Sequence, residues 1–113
     1  MSADCIFCKI GAEEIPVDLI YNDNDFVAFH DIDAQAPIHV LIIPKVHIGS
    51  LVEVSDAALL GTALVVVQAV AKQLGVEKEG FRTVINTGPN GGQSVDHLHF
   101  HLLAGRFMQW PPG

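Results

Sequence analysis

The chain has 113 residues, half of them hydrophobic, and 6 Lys and Arg set against 13 Asp and Glu give a net charge of −7. That balance provides no basic face for a phosphate backbone, so nucleic acid is not an expected partner. No stretch reaches the roughly 18 uninterrupted apolar residues of a membrane span, and "MSADCIFCKI" lacks a basic, apolar leader; the expected address is the cytoplasm, without a membrane partner.

No repeat, low-complexity run or Ser- or Pro-rich linker divides the chain, so residues 1–113 are expected to form one domain. In chain order the first signal is "CIFC", Cys5 to Cys8. Where thiols stay reduced, such a pair reads as a redox couple or half a zinc site, and nothing around it resembles a thioredoxin-like strand and helix. Zinc is the favoured reading, and a closed tetrahedral site then needs two more ligands.

Strand patterns follow at Val17 to Tyr21, Phe26 to Asp31 and Ile38 to Pro44, with "YNDND" as a hairpin loop between the first two. A helix is expected from about Asp56 to Leu74. Ser55 is the expected cap of its first turn, Asp56 and Lys72 complement its dipole, and Gly75 closes it. Leu59, Leu60, Leu64, Val65, Val66, Val67 and Val70 spread around this cylinder, so it is expected to bury one side on its own sheet and the other on a second copy of the chain. Further strands are expected at Phe81 to Thr87 and Leu98 to Ala104.

Between those last two lies "NTGPNGGQSV", Asn86 to Val95, whose exposed backbone N–H groups are expected to hold phosphate oxygens without Lys or Arg. It leads into "HLHFHLL". Side chains alternate faces along a strand, so His97, His99 and His101 should line one surface, with Leu98, Phe100 and Leu102 on the core side. Three imidazoles at period two either bind a metal jointly or present one nucleophile, with the others around the same phosphorus.

The pattern His-φ-His-φ-His-φ-φ resembles that of the histidine triad (HIT) family, most closely the branch of nucleotide-binding proteins with purine nucleoside phosphoramidase activity. "IFCKI", "EEIP", "AFHDI", "QAPIHVLIIPKVHI", "INTGPNGGQSV" and "GRFMQWPPG" extend the resemblance over nearly the whole chain. It implies an α+β fold: a five-stranded antiparallel sheet with one long helix and a short N-terminal helix, the sheets of two chains joined across a homodimer. It also implies hydrolysis of the P–N bond of AMP or GMP phosphoramidates through a nucleotidyl-histidine. A binding module for signalling or scaffolding, with incidental activity, is the alternative.

Residue by residue, the resemblance makes His99 the nucleophile, with His101, Ser94 and Asn86 contacting phosphate and leaving group. Asp31 holds the ribose hydroxyls, Phe29, His30 and Ile32 surround base and sugar, and Gly92 and Gln93 complete the nucleotide site. Zinc-containing relatives imply Cys5, Cys8, His47 and His97 as metal ligands; no organic cofactor is implied. Neutral imidazole, with an ordinary pKa near 6.5, suits nucleophilic attack at pH 7. Asp96 departs from the apolar or aromatic residue expected before the first histidine.

Overall fold

The computed structural model describes residues 4–113. Its elements are α1 (Ile6–Gly11), β1 (Tyr21–Asn22), β2 (Phe26–His30), β3 (Ile38–Pro44), a 3₁₀ turn (Leu51–Glu53), α2 (Ala57–Gln73), β4 (Arg82–Val84) and β5 (Phe100–Ala104). The strands form one antiparallel sheet in the order β1-β2-β3-β5-β4, the expected five-stranded architecture.

Strand alternation sends apolar residues to both faces. One face carries Phe26, Ala28, Val40, Ile42, Phe100, Leu102 and Ala104 and buries them beneath Ala63, Val66, Val67, Val70 and Ala71 of α2. The other carries Val27, Phe29, Leu41 and Ile43 and is covered by Phe7 and Ile10 of α1. That cover changes one expectation. His97 is fully buried and His99 is 4% exposed, because α1 lies over the face that would otherwise be an open surface.

The hairpin at "YNDND" forms as expected, with Asp23 Oδ1 accepting from the backbone N–H groups of Asp25 and Phe26, each at 2.7 Å. The first strand is shorter than its pattern. Only Tyr21 and Asn22 pair with β2, extended by a bond from Ile20 N–H to the carbonyl of Ala28, because Val17 and Leu19 pack into the α1 layer instead. The fourth strand likewise shrinks to Arg82–Val84 and the fifth starts at Phe100. Leu98 still reaches the core, its N–H bonding to the carbonyl of Ile48 at 2.7 Å.

Asp56, rather than Ser55, caps α2, its Oδ1 accepting from Ala58 N–H at 3.0 Å. At the far end Gly75 takes the left-handed conformation (φ 72°) that lets Val76 N–H reach back to the carbonyl of Ala71, and Val76 enters the core. Leu64 and Val65, on the opposite side of the helix, stay about half exposed at 50% and 59%. Among the described residues nothing covers them fully. Among the described residues no helix is long and apolar enough to cross a membrane.

Candidate active site and metal centre

Five histidines, three of them buried, form two linked groups. In the first, Cys5 Sγ and Cys8 Sγ lie 3.2 and 3.5 Å from His97 Nδ1, and Cys8 Sγ lies 3.2 Å from His47 Nδ1. All four ligand atoms fall within 4.8 Å of one another. Tetrahedral zinc with bonds near 2.3 Å to sulfur and 2.0–2.1 Å to nitrogen gives S···N edges of roughly 3.6 Å, so small adjustments admit the ion. The ring of His97 is already oriented for it. Its Nε2–H donates to the carbonyl of Pro44 at 2.8 Å, which leaves the Nδ1 lone pair aimed at the sulfurs, the arrangement expected of a metal-ligating imidazole. Burial, chiefly, pushes His97 below the usual histidine pKa and keeps it neutral. The donor set therefore fits zinc.

The second group begins at the carbonyl of the same residue. His99 Nδ1–H donates to His97 O at 2.7 Å; a carbonyl only accepts, so the proton sits on Nδ1 and Nε2 keeps its lone pair. Phe7 packs edge-on against His99, with ring centroids 5.3 Å apart. Opposite, His101 stands at 5.0 Å from His99.

A residue not singled out from the sequence joins them. His39 is 4% exposed in the apolar strand β3, where a lone histidine looks like core. Gln35 N–H donates to His39 Nδ1 at 3.0 Å, so the imidazole proton is on Nε2, which donates to His101 Nδ1 at 2.9 Å. His101 in its neutral form consequently carries its proton on Nε2. Asp31 Oδ2 lies 3.4 Å from His39 Nε2, and Asp31 Oδ1 accepts from Asp33 N–H. Asp31, His39 and His101 are close enough to cradle a cation. The tautomer opposes it, since His39 Nε2 holds a proton while Nδ1 is occupied by a backbone donor. Burial, with His99 and His39 adjacent, pushes His101 down to about 4, Asp31 opposing the shift.

A cleft of about 430 Å³ opens over this group and is lined by Phe29, His30, Asp31, Ile32, Ser94, His99 and His101, with Ile6 and Val95. Seven of the expected nucleotide-site residues thus meet around one space. Asn86, Gly92 and Gln93 do not line it. Asn86 Nδ2 donates to the carbonyl of Gly91, Gln93 Nε2 donates to the carbonyls of Gly49 and Val95, and Gln93 Oε1 accepts from Gly88 N–H. These groups brace the loop. Gly92 N–H and Gln93 N–H are likewise bonded to the carbonyls of Pro89 and Gly88, so the expected use of the loop's backbone as a phosphate cradle does not hold for Gly88, Gly92 and Gln93. The turn is tight enough that a Cβ on Gly91 would clash with the carbonyl oxygen of Thr87.

Asp96 is exposed and precedes β5, so strand alternation does not govern it. It lines a wider cleft of about 660 Å³ with His47, Glu53, Thr87 and Gln93, behind the loop and away from His99 and His101.

Known proteins share this architecture. The chain is 49% identical over 112 residues to "Adenylylsulfatase HINT1" of Arabidopsis thaliana, covering 96% of this chain and 76% of that protein. It is 52% identical over 112 residues to the "14 kDa zinc-binding protein" of Zea mays, covering 96% and 87%. A solved HIT family hydrolase from Legionella pneumophila superposes with a TM-score of 0.94 at 46% identity, over 97% of this chain and 100% of that one. The HIT domain model matches residues 12–108, from the end of α1 to the C-terminal tail, and with these relatives it shows that the chain belongs to the HIT domain family.

Proposed function

We propose that this protein is a nucleotide hydrolase that cleaves the P–N bond of purine nucleoside phosphoramidates and releases AMP or GMP. The observation that supports it most directly is the bond from His99 Nδ1–H to His97 O, which leaves His99 Nε2 unprotonated beside a cleft of nucleotide dimensions. Nε2 attacks the α-phosphorus, a phosphorus–histidine bond forms, and the P–N bond of the substrate breaks with its electron pair on the departing nitrogen. That nitrogen takes a proton from His101. Water then attacks the phosphorus and returns a proton to His101, the P–N bond to His99 breaks with its electron pair on Nε2, and the nucleoside monophosphate leaves.

His101 is neutral in the free protein at pH 7. Phosphoryl oxygens placed against it favour its charged form, so the acid arrives with the substrate. Asp31 accepts from the ribose hydroxyls with the lone pairs that Asp33 N–H leaves over, Phe29, His30 and Ile32 flank base and sugar, and Ser94 donates to a phosphoryl oxygen. Cys5, Cys8, His47 and His97 hold zinc, which when bound cross-links α1 to the residue whose carbonyl positions His99. The half-exposed Leu64 and Val65 support a homodimer built on α2.

A turnover screen tests this reading. AMP and GMP phosphoramidates are expected to exceed CMP phosphoramidate, phosphate esters, dinucleoside polyphosphates and adenylyl sulfate in kcat/KM. Micromolar binding of AMP with no turnover of any of them would support the binding-module alternative instead.

A further inference from the structure

We propose that Cys5 and Cys8 are an oxidation site, at which a small disulfide converts the pair into an intramolecular disulfide, expels zinc and thereby releases the hold on His99; this rests on the zinc reading above. The two sulfurs converge on one atom, His97 Nδ1, at 3.2 and 3.5 Å, and Cys8 N–H donates to Cys5 Sγ at 3.3 Å. Cα atoms three apart across a helical turn lie about 5 Å apart, within the roughly 4.4–6.8 Å that a disulfide bridges.

Access is asymmetric. Cys5 is half-buried and lines a cleft of about 330 Å³ with Asp4, Ser94 and Val95, whereas Cys8 is 2% exposed. Attack therefore starts at Cys5. Its thiolate breaks the S–S bond of the small disulfide, forming a mixed disulfide and releasing one thiolate. Cys8 then attacks Cys5 Sγ and releases the second, so the two cysteines lose two electrons and the small disulfide gains them. Disulfide sulfurs no longer offer thiolate ligands, and His47 and His97 alone do not close a tetrahedral site.

The consequence reaches the nucleophile through two contacts. His97 is at once the partner of both sulfurs and the acceptor of His99 Nδ1–H at 2.7 Å. Phe7, between the cysteines, presses edge-on against His97 and His99 with centroids at 5.8 and 5.3 Å. Drawing the sulfurs together displaces the turn that carries Phe7, and losing the ion leaves the ring of His97 anchored only by its bond to the Pro44 carbonyl.

Zinc-loaded wild-type protein is treated with oxidised glutathione while released zinc, free thiols, intact mass and turnover are followed. One zinc and two thiols per chain should disappear together, with a mass loss of about 2 Da for two hydrogens. Turnover should fall at least about tenfold and return with a dithiol and zinc. Cys5→Ser and Cys8→Ser cannot close the bond, so turnover in each, whatever its level, should not respond to the oxidant through loss of zinc. Protein that holds no zinc, keeps zinc and both thiols under excess oxidant, or loses both with turnover unchanged overturns the proposal. The zinc, thiol and mass readouts decide the oxidation step even for a chain inactive on phosphoramidates.

Discussion

At His99 the chemistry turns on which ring nitrogen holds a proton, and backbone groups decide it. His97 O accepts from His99, Pro44 O accepts from His97, and Gln35 N–H donates to His39, so three imidazoles are held in one tautomer each by the main chain. The histidine row was legible in the sequence from its period, and the placing of Asp31 and Ser94 beside it only through the family resemblance. His39 was not, because one polar residue within "IHVLIIP" gives no sign of the side chains it faces across strands. His39→Leu removes the N–H that bonds His101 Nδ1. It should lower kcat by about 10- to 100-fold with a smaller change in KM, and shift the pH–rate profile, whereas a purely structural loss would leave that profile in place. The depressed His101 pKa makes a further prediction for stability. Unfolded chain takes up a proton below about 6.5 that the folded chain refuses until about 4, so stability should fall as pH falls through that window. Relative to wild type, His101→Gln should remove on the order of 2 kcal/mol of that fall, read as urea midpoints at pH 7 and 4.5. Parallel pH dependence in both proteins would contradict the burial argument.

Among the elements, α1 is where sequence patterns were weakest and the structure adds most. Six residues are too few to show periodicity, yet they cover the histidine face and carry Cys8 and Phe7, with Cys5 as cap. β3 was legible to the residue because its apolar run is buried on both faces, while β1 and β4 at the sheet edges were overread, their apolar residues packing without pairing. So short a helix needs an anchor. Purified protein should contain about one zinc per chain, and Cys5→Ser combined with Cys8→Ser should remove it and lower Tm by at least about 5 °C, measured by calorimetry. A metal-free double variant with unchanged Tm would show that the site does not hold α1 in place.

For the whole molecule, the sheet is covered on both faces, and α2 and the tail are among the places where large apolar side chains stay exposed. Leu64 and Val65 are half exposed, Phe107 and Trp110 are 85% and 81% exposed, and Arg82 Nη2 fixes the tail by donating to the carbonyl of Gln109. A helix apolar all round was readable in the sequence, and the proposed homodimer is what would meet its outer side. Sedimentation at micromolar concentration should give a dimer, and Leu64→Lys with Val65→Lys should shift it toward monomer. A wild-type monomer would assign those side chains to another role.

The central claim is that His99 becomes covalently nucleotidylated, and it can be weighed directly. Wild-type protein is mixed with an adenosine phosphoramidate, quenched with cold neutral denaturant within milliseconds, digested and analysed by mass spectrometry. One adenylyl group should appear on the peptide containing His99, fragmentation should place it on that residue, and His99→Ala should lack the adduct and lose at least about 10³-fold in kcat/KM. An adduct on His97 or His101, or undiminished turnover by His99→Ala, would contradict the account.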